Sequence, residues 1–340
     1  MKNPILERRT LRLSHPPSVL AWGNIGGKME AQGPLSAHFD TLSEDSFFSE
    51  KTWEQAESAM QKTVLKTALQ KAGKPLESLD FLLAGDLLNQ CTASAFAHRD
   101  SGVPYLGLYS ACATMGEALG LGAILIDSGA AQTAGAVTSS HYCTAERQYR
   151  TPLPYGSQRT PTAQWTATAA GCCLLCRKGF GPFVTHVTFG KIVDWGIADT
   201  TNMGAAMAPA AYDTLRTHFA ATGEKTEDYD LILTGDLGSL GHEIVCDFFR
   251  ADGITLGRRY QDCGMLLYDA QGQDMHAGGS GAGCSAAVLC GYILDGMRSG
   301  KWRRVLFAPT GALLSPASSM QGQSIPGICH AVVFSMEKEG

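Results

Sequence analysis

The chain has 340 residues, 44% hydrophobic and 17% charged, which suits a globular double unit or two domains with ample core. A net charge of −5 with no basic run argues against a nucleic-acid partner. The N-terminal stretch carries Arg8, Arg9 and Arg12 without an apolar signal core, and the longest apolar run, 111–126, contains Glu117, so neither a secretory signal nor a membrane span is expected and any membrane association is peripheral.

In chain order, residues 19–25 read as a strand with a Gly-rich exit. Thr52 opens a helix with Gln55, in which Trp53, Ala56, Met60, Val64 and Ala68 recur at helical spacing until Gly73 and Pro75 close it. Short apolar runs at 79–84 and 103–109 read as buried strands. Ser110 is expected to cap a helix over 112–128. Strands at 132–138 and 169–176 complete the first half. Residues 144–165, Pro-rich and carrying Arg147, Arg150 and Arg159, read as a long ordered loop. The second half shows a helix at 204–221, a strand at 229–234, a Gly-rich loop at 278–283, a helix at 284–299, and strands at 303–308 and 331–335.

The halves can be laid on each other. LDFLLAGDL (79–87) matches YDLILTGDL (229–237) at an offset of 150, placing Asp86 on Asp236. Gly129 falls on Gly300 at an offset of 171, which sets Cys112 opposite Gly283. Buried strands alternating with helices give mostly parallel sheets covered on both faces, here as a duplicated α/β unit divided at 1–185 and 186–340.

Eleven cysteines, an odd number, point to reduced thiols in a cytosol-like compartment. Cys112 stands out. At the first turn of a small-residue helix, the positive end of the helix dipole favours thiolate; a buried small hydrophobe is the bland alternative. In the stretch HAGGSGAGCSAA (276–287), Gly278, Gly279 and Gly281 let backbone N–H groups approach a ligand, with Ser280 and His276 as further donors. The spacing fits neither a dinucleotide fingerprint nor a phosphate-binding loop. Asp86 and Asp236 end buried strands, where ligands gather or turns are tied. CCLLC (172–176) lies in a strand and lacks a second ligand pair, so metal is not expected.

A duplicated α/β unit with Cys at one helix start and a Gly-rich loop at the matching place resembles the thiolase superfamily of acyl-condensing enzymes, and implies a layered αβαβα sandwich. More closely, WGNIGGKMEAQGPL, FDTLSEDSFF, WEQAES, YSACATMGEAL, RTPTAQWTATAAGC and HAGGSGAGCSAA resemble the stage V sporulation protein AD family of spore-forming bacteria. That resemblance implies a peripheral component of a spore inner-membrane assembly, working with the other membrane proteins of that assembly. The assembly moves dipicolinic acid (pyridine-2,6-dicarboxylate) into the forming spore and later out of it. It also implies a binding pocket where thiolases have their active site, and a homodimer through first-half edge strands near Cys91. The superfamily pairs its nucleophilic Cys with His–Asn or His–His; here Gly235 or Asp236 stands for the first, and Gly279 for the usual Asn. The expectation is a non-catalytic binder, the alternative a condensing enzyme with Cys112 as nucleophile. The ligand is expected among Cys112, His276, Gly278, Gly279, Ser280 and Gly281, with Arg147 or Arg159 closing the pocket. Asp236 is expected to be turned away or bridged by calcium, and no other cofactor is implied.

Overall fold

Ten strands, five from each half of the chain, form the body of one continuous sheet in the computed structural model, which describes residues 5–7, 9–149 and 159–338. The first five are β1 (Ser18–Gly26), β2 (Phe81–Gly85), β3 (Tyr105–Gly107), β4 (Thr133–Ser140) and β5 (Ala169–Cys176), in the order β3-β2-β4-β5-β1. The second five are β6 (Phe183–Thr188), β7 (Leu231–Thr234), β8 (Tyr260–Asp262), β9 (Arg304–Ala308) and β10 (Ala331–Ser335), in the order β8-β7-β9-β10-β6. The orders are the same. So are the directions: in each set the second strand runs parallel to the third and fourth, and the fifth runs antiparallel to both neighbours. The sets join where Phe183 faces Ser18 across an antiparallel contact.

β5 and β10 are buried along their whole length, as expected of uninterrupted apolar runs covered on both faces. The main helices are α1 (Trp53–Ala72), α2 (Thr92–His98), α3 (Thr114–Asp127), α4 (Tyr142–Tyr149), α5 (Met203–Thr222), α6 (Gly238–Ala251) and α7 (Ala282–Val288). α7 continues through a π turn, Leu289–Ile293, into Leu294–Arg298. α1 starts where the Thr52 hydroxyl accepts the Gln55 N–H at 3.2 Å, and ends at Gly73 with φ +61°. Its counterpart α5 starts where the Asn202 side chain accepts the Ala205 N–H at 3.3 Å.

The layer between the two halves positions the site. α7 belongs to the second half yet packs on β4 and β5 of the first, and α3 packs on β2 and β4 of its own half and on β10 of the other. The approach of α7 is close. A Cβ at Gly171 on β5 would lie 2.5 Å from the Ala286 carbonyl oxygen, and one at Gly283 would lie 2.0 Å from that of Ala169. Both positions need glycine for the helix to seat.

The elements differ from expectation in six places. β6 and β8 and helices α2 and α6 were not legible. α3 begins at Thr114, not 112. Within the expected loop 144–165, residues 144–149 belong to α4, and 150–158, including Arg150, lie outside the described residues.

Candidate functional site

Cys112 lies in a turn two residues ahead of α3. Ala111 takes φ +49°, and the Ala113 N–H closes on the Ser110 carbonyl at 3.0 Å. The second half presses on this turn: a Cβ at Gly311 would lie 2.3 Å from the Ser110 carbonyl oxygen. Ser110 does not cap the helix. Its hydroxyl donates to Glu117 Oε2 at 2.7 Å, and Ala113 stands at the cap position without a side-chain bond. His330 completes this group. Its Nδ1 accepts the Gly190 N–H at 3.2 Å, so Nε2 carries the proton and donates to Ser110 Oγ at 3.1 Å. Burial holds this imidazole neutral, with its pKa down at about 4.

Asp236, at the end of β7, faces Cys112. Its carboxyl is buried and accepts three donors. The Gly281 N–H reaches Oδ2 at 2.9 Å, the Thr310 hydroxyl reaches Oδ1 at 2.9 Å, and the Cys112 thiol donates to the same group. Burial outweighs those bonds and pushes the carboxyl up to about 7. The thiol is affected in turn. Burial first, then the negative field of Asp236, drive its pKa well above the ordinary thiol value. The helix dipole was expected to favour thiolate; here desolvation and an adjacent carboxyl overrule it, and the group is a neutral thiol.

The wall around the thiol is Leu87, Ala111 and Ala282, with Tyr149 and Leu313 partly exposed beside it. The Tyr149 hydroxyl donates to the Leu87 carbonyl at 2.6 Å and lies 3.3 Å from that of Tyr109.

The Gly-rich stretch runs past this group as backbone. Gly279–Ser280 pairs in parallel with Trp165–Thr166. Gln164 ties it to Asp236, its Nε2 donating to the Asp236 carbonyl at 2.6 Å and the Gly279 carbonyl at 3.0 Å. Two of the N–H groups expected to face a ligand are engaged inside the protein: Gly278 donates to the Met275 carbonyl at 3.0 Å, and Gly281 to Asp236. Ser280 is buried beside them.

Arg159 and His276 form a neighbouring cluster. Arg159 Nη2 pairs with Asp274 Oδ2 at 2.8 Å, and the guanidinium lies 5.2 Å over the Trp165 ring, which itself stacks on Tyr142 at 3.9 Å. Its side chain is 11% exposed, and Nη1 is buried without a hydrogen-bond partner among the described residues. His276 donates from Nδ1 to the Thr160 carbonyl at 2.6 Å, with Nε2 toward Asp274. Arg147 points elsewhere: on α4 it pairs with Glu54 and lies over Trp53. Asp86 is a turn residue, accepting from Leu88 and Ser94.

Residues 7–335 match the family described as stage V sporulation protein AD. The chain is 42% identical over 327 residues to the stage V sporulation protein AD of Bacillus subtilis (strain 168), with 96% of each covered. The chain belongs to the stage V sporulation protein AD family.

Solved structures place this family member's fold among the thiolases and synthases. It superimposes on 3-oxoacyl-[acyl-carrier-protein] synthase III of Aquifex aeolicus VF5 with a TM-score of 0.57, at 14% identity, covering 94% and 99% of the chains. OleA of Xanthomonas campestris gives a TM-score of 0.60 at 13% identity, covering 95% and 99%. Human mitochondrial 3-ketoacyl-CoA thiolase in complex with CoA gives 0.58 at 10%, again covering 95% and 99%. The fold is thiolase-like. In this stage V sporulation protein AD relative, no three His, Cys, Asp or Glu side chains converge as metal ligands among the described residues. None of its helices there is long and apolar enough to cross a membrane.

The sequence pointed to Cys112, Asp236 and the Gly-rich stretch, and the structure brings Cys112, Asp236 and Gly281 together. It did not point to Thr310 or His330 as site residues. Neither sits in a glycine cluster or at an expected helix start, so no local signal marks them.

Proposed function

We propose that this chain binds dipicolinic acid beside Cys112 without turning it over, as a peripheral component of the spore assembly that moves this acid. The observation that carries the non-catalytic part is the pairing of a neutral Cys112 thiol with the buried Asp236 carboxyl. A condensing nucleophile needs thiolate and free donors for the developing oxyanion. Here the thiol is protonated and the Gly281 N–H and Thr310 hydroxyl are taken.

An aromatic dicarboxylate needs a flat apolar wall and fixed positive charge. The small side chains of Ala111, Cys112 and Ala282 supply the wall. Arg159 supplies charge: its Nη1 is buried without a hydrogen-bond partner among the described residues, and its guanidinium lies over Trp165, which pairs with the Gly-rich stretch; a guanidinium is a natural partner for carboxylate. Calcium, which takes carboxylate oxygens readily, accompanies the ligand where Asp236 is ionised. A second copy of the chain pairs along the free edge of β3, where Leu106 is 38% exposed and Phe96 on α2 is 54% exposed.

Calorimetric titration with dipicolinic acid, with and without calcium, tests the ligand. Binding is expected in the native chain and lost in Cys112→Trp. Arg159→Gln should weaken it by about tenfold or more, the value of one charge-assisted pair, whereas Arg147→Gln should leave it unchanged. Native affinity in both Cys112→Trp and Arg159→Gln, each folded by circular dichroism, moves the ligand elsewhere.

A further inference from the structure

Acyl transfer to a thiol needs hydrogen-bond donors aimed at the oxygen of the tetrahedral intermediate, at about 2.7–3.1 Å from it. The fold delivers such donors to Cys112. Gly281 has φ +105°, a left-handed conformation that turns its N–H inward, and a Cβ there would lie 2.5 Å from Ser140 Oγ. The loop is therefore shaped, at the expense of a side chain, to bring this N–H beside the thiol. From the other flank the Thr310 hydroxyl reaches the same place.

Both donors end on Asp236, one on each carboxyl oxygen. The carboxyl is fixed: its backbone N–H donates to Thr310 Oγ1 at 3.3 Å, and its carbonyl is held by Gln164. The neighbouring carboxyl of Asp262 cannot take over the role. It is committed to the Leu237, Gly238 and Gly264 N–H groups and to the Thr234 hydroxyl.

We propose that Asp236 is the residue that decides against acyl transfer at this site: its carboxyl oxygens fill the donor pair beside Cys112 as built-in acceptors, and its removal opens the thiol to acylation by an acyl thioester. This rests on Cys112 being a non-condensing thiol, as proposed above, and explains how a thiolase-like frame comes to be so. Filling by an internal group is effective because the carboxyl is tethered, so an incoming carbonyl oxygen competes against a very high local concentration. In the opened site the step is a simple exchange. Cys112 Sγ bonds to the acyl carbon, the carbon–sulfur bond of the thioester breaks, and the thiol proton goes to the departing thiolate. Nothing is oxidised or reduced.

The test compares Asp236→Ala and Asp236→Asn with the native chain, each incubated with acetyl-CoA or with the smaller S-acetyl-N-acetylcysteamine, and follows acetylation by intact-protein mass spectrometry. Asp236→Ala should acetylate faster by roughly 10²-fold, the usual effect of one freed oxyanion donor, and adding Cys112→Ala should remove the adduct. Asp236→Asn keeps an oxygen that accepts the Gly281 N–H, so it should stay near the native rate. The proposal is overturned if folded Asp236→Ala acetylates no faster than the native chain with either reagent. It is equally overturned if Asp236→Asn matches Asp236→Ala, since charge and not occupancy would then be decisive. Dipicolinic acid titration of the native chain reports separately: failure to bind refutes the ligand and leaves the acetylation comparison standing.

Discussion

His330 and Ser110 join the last strand region of the chain to the turn that carries Cys112, with Nε2 3.1 Å from Oγ across 220 residues of sequence. The hydroxyl passes the relay on to Glu117. Ser110→Ala leaves a buried N–H without an acceptor and a half-buried carboxyl without a donor. The expected cost is about 1–3 kcal/mol, read as a lower urea midpoint at unchanged slope. An unchanged midpoint would remove the relay from any structural role.

Five buried imidazoles set the acid limit of stability, His141 among them with its pKa lowered by burial. Burial lowers His98, His186 and His330 to about 4 and His218 to about 3. Each protonates less readily folded than unfolded, where about 6.5 applies. The unfolded state therefore binds more protons between those values, so this stability is full above pH 6.5 and is lost as pH falls toward 4. Each group adds up to roughly 1.4 kcal/mol per pH unit in that window. His330→Gln should flatten the fall in melting temperature between pH 6.5 and 4.5; an equally steep fall would count against a neutral His330.

Asp236 works in the opposite sense. Its folded pKa, about 7, is above the unfolded value near 3.8. Its contribution is fully present only below pH 3.8 and declines as pH rises through 7. A dianionic ligand beside it is best received while the carboxyl is neutral, so dipicolinic acid binding without calcium should weaken above pH 7 and take up a proton. Calorimetry in buffers of different ionisation enthalpy measures that uptake. Asp236→Asn should abolish it, and uptake surviving in that variant would assign the proton to another group.

Cys112 should be a slow thiol. Iodoacetamide at pH 8 is expected to label Cys143 and Cys246, which are only partly buried, well before Cys112. Peptide mapping over time gives the order. Cys112 labelled first would contradict the protonated, Asp236-paired thiol.

Much of the frame was legible because it is local. β5 and β10 are unbroken apolar runs and their limits, 169–176 and 331–335, read straight from the chain. β6, FVTHVT, places His186 and two threonines in a buried strand, where only tertiary partners explain them: Arg12 and Val333 face His186, and Thr10 and Ala331 face Thr188. α6 opens with GSLG, a pattern that reads as a turn. At the site, position relative to strand and helix ends pointed to Cys112 and Asp236. What they do to each other was hidden, because the thiol and carboxyl lie 124 positions apart in sequence and meet only when the halves close. Dipole arguments alone predicted thiolate; the structure gives the opposite sign. Arg147 looked available on the chain, but α4 turns it onto Glu54 and Trp53.

The crossed placement of α7 and α3 has a consequence for how the chain can be divided. Cutting between β5 and β6, at 177–182, leaves a first fragment whose β4 and β5 have lost the helix that covers them, and a second whose α7 has lost its floor. Each piece keeps one hydrophobic cluster of its own, but the largest cluster draws side chains from both, so neither is expected to fold stably alone. Mixed together, the two are expected to recombine, as a split reporter does, with Gly171 and Gly283 forming the seam. The repeat is visible in the topology, yet the cooperative unit of folding is expected to span both halves.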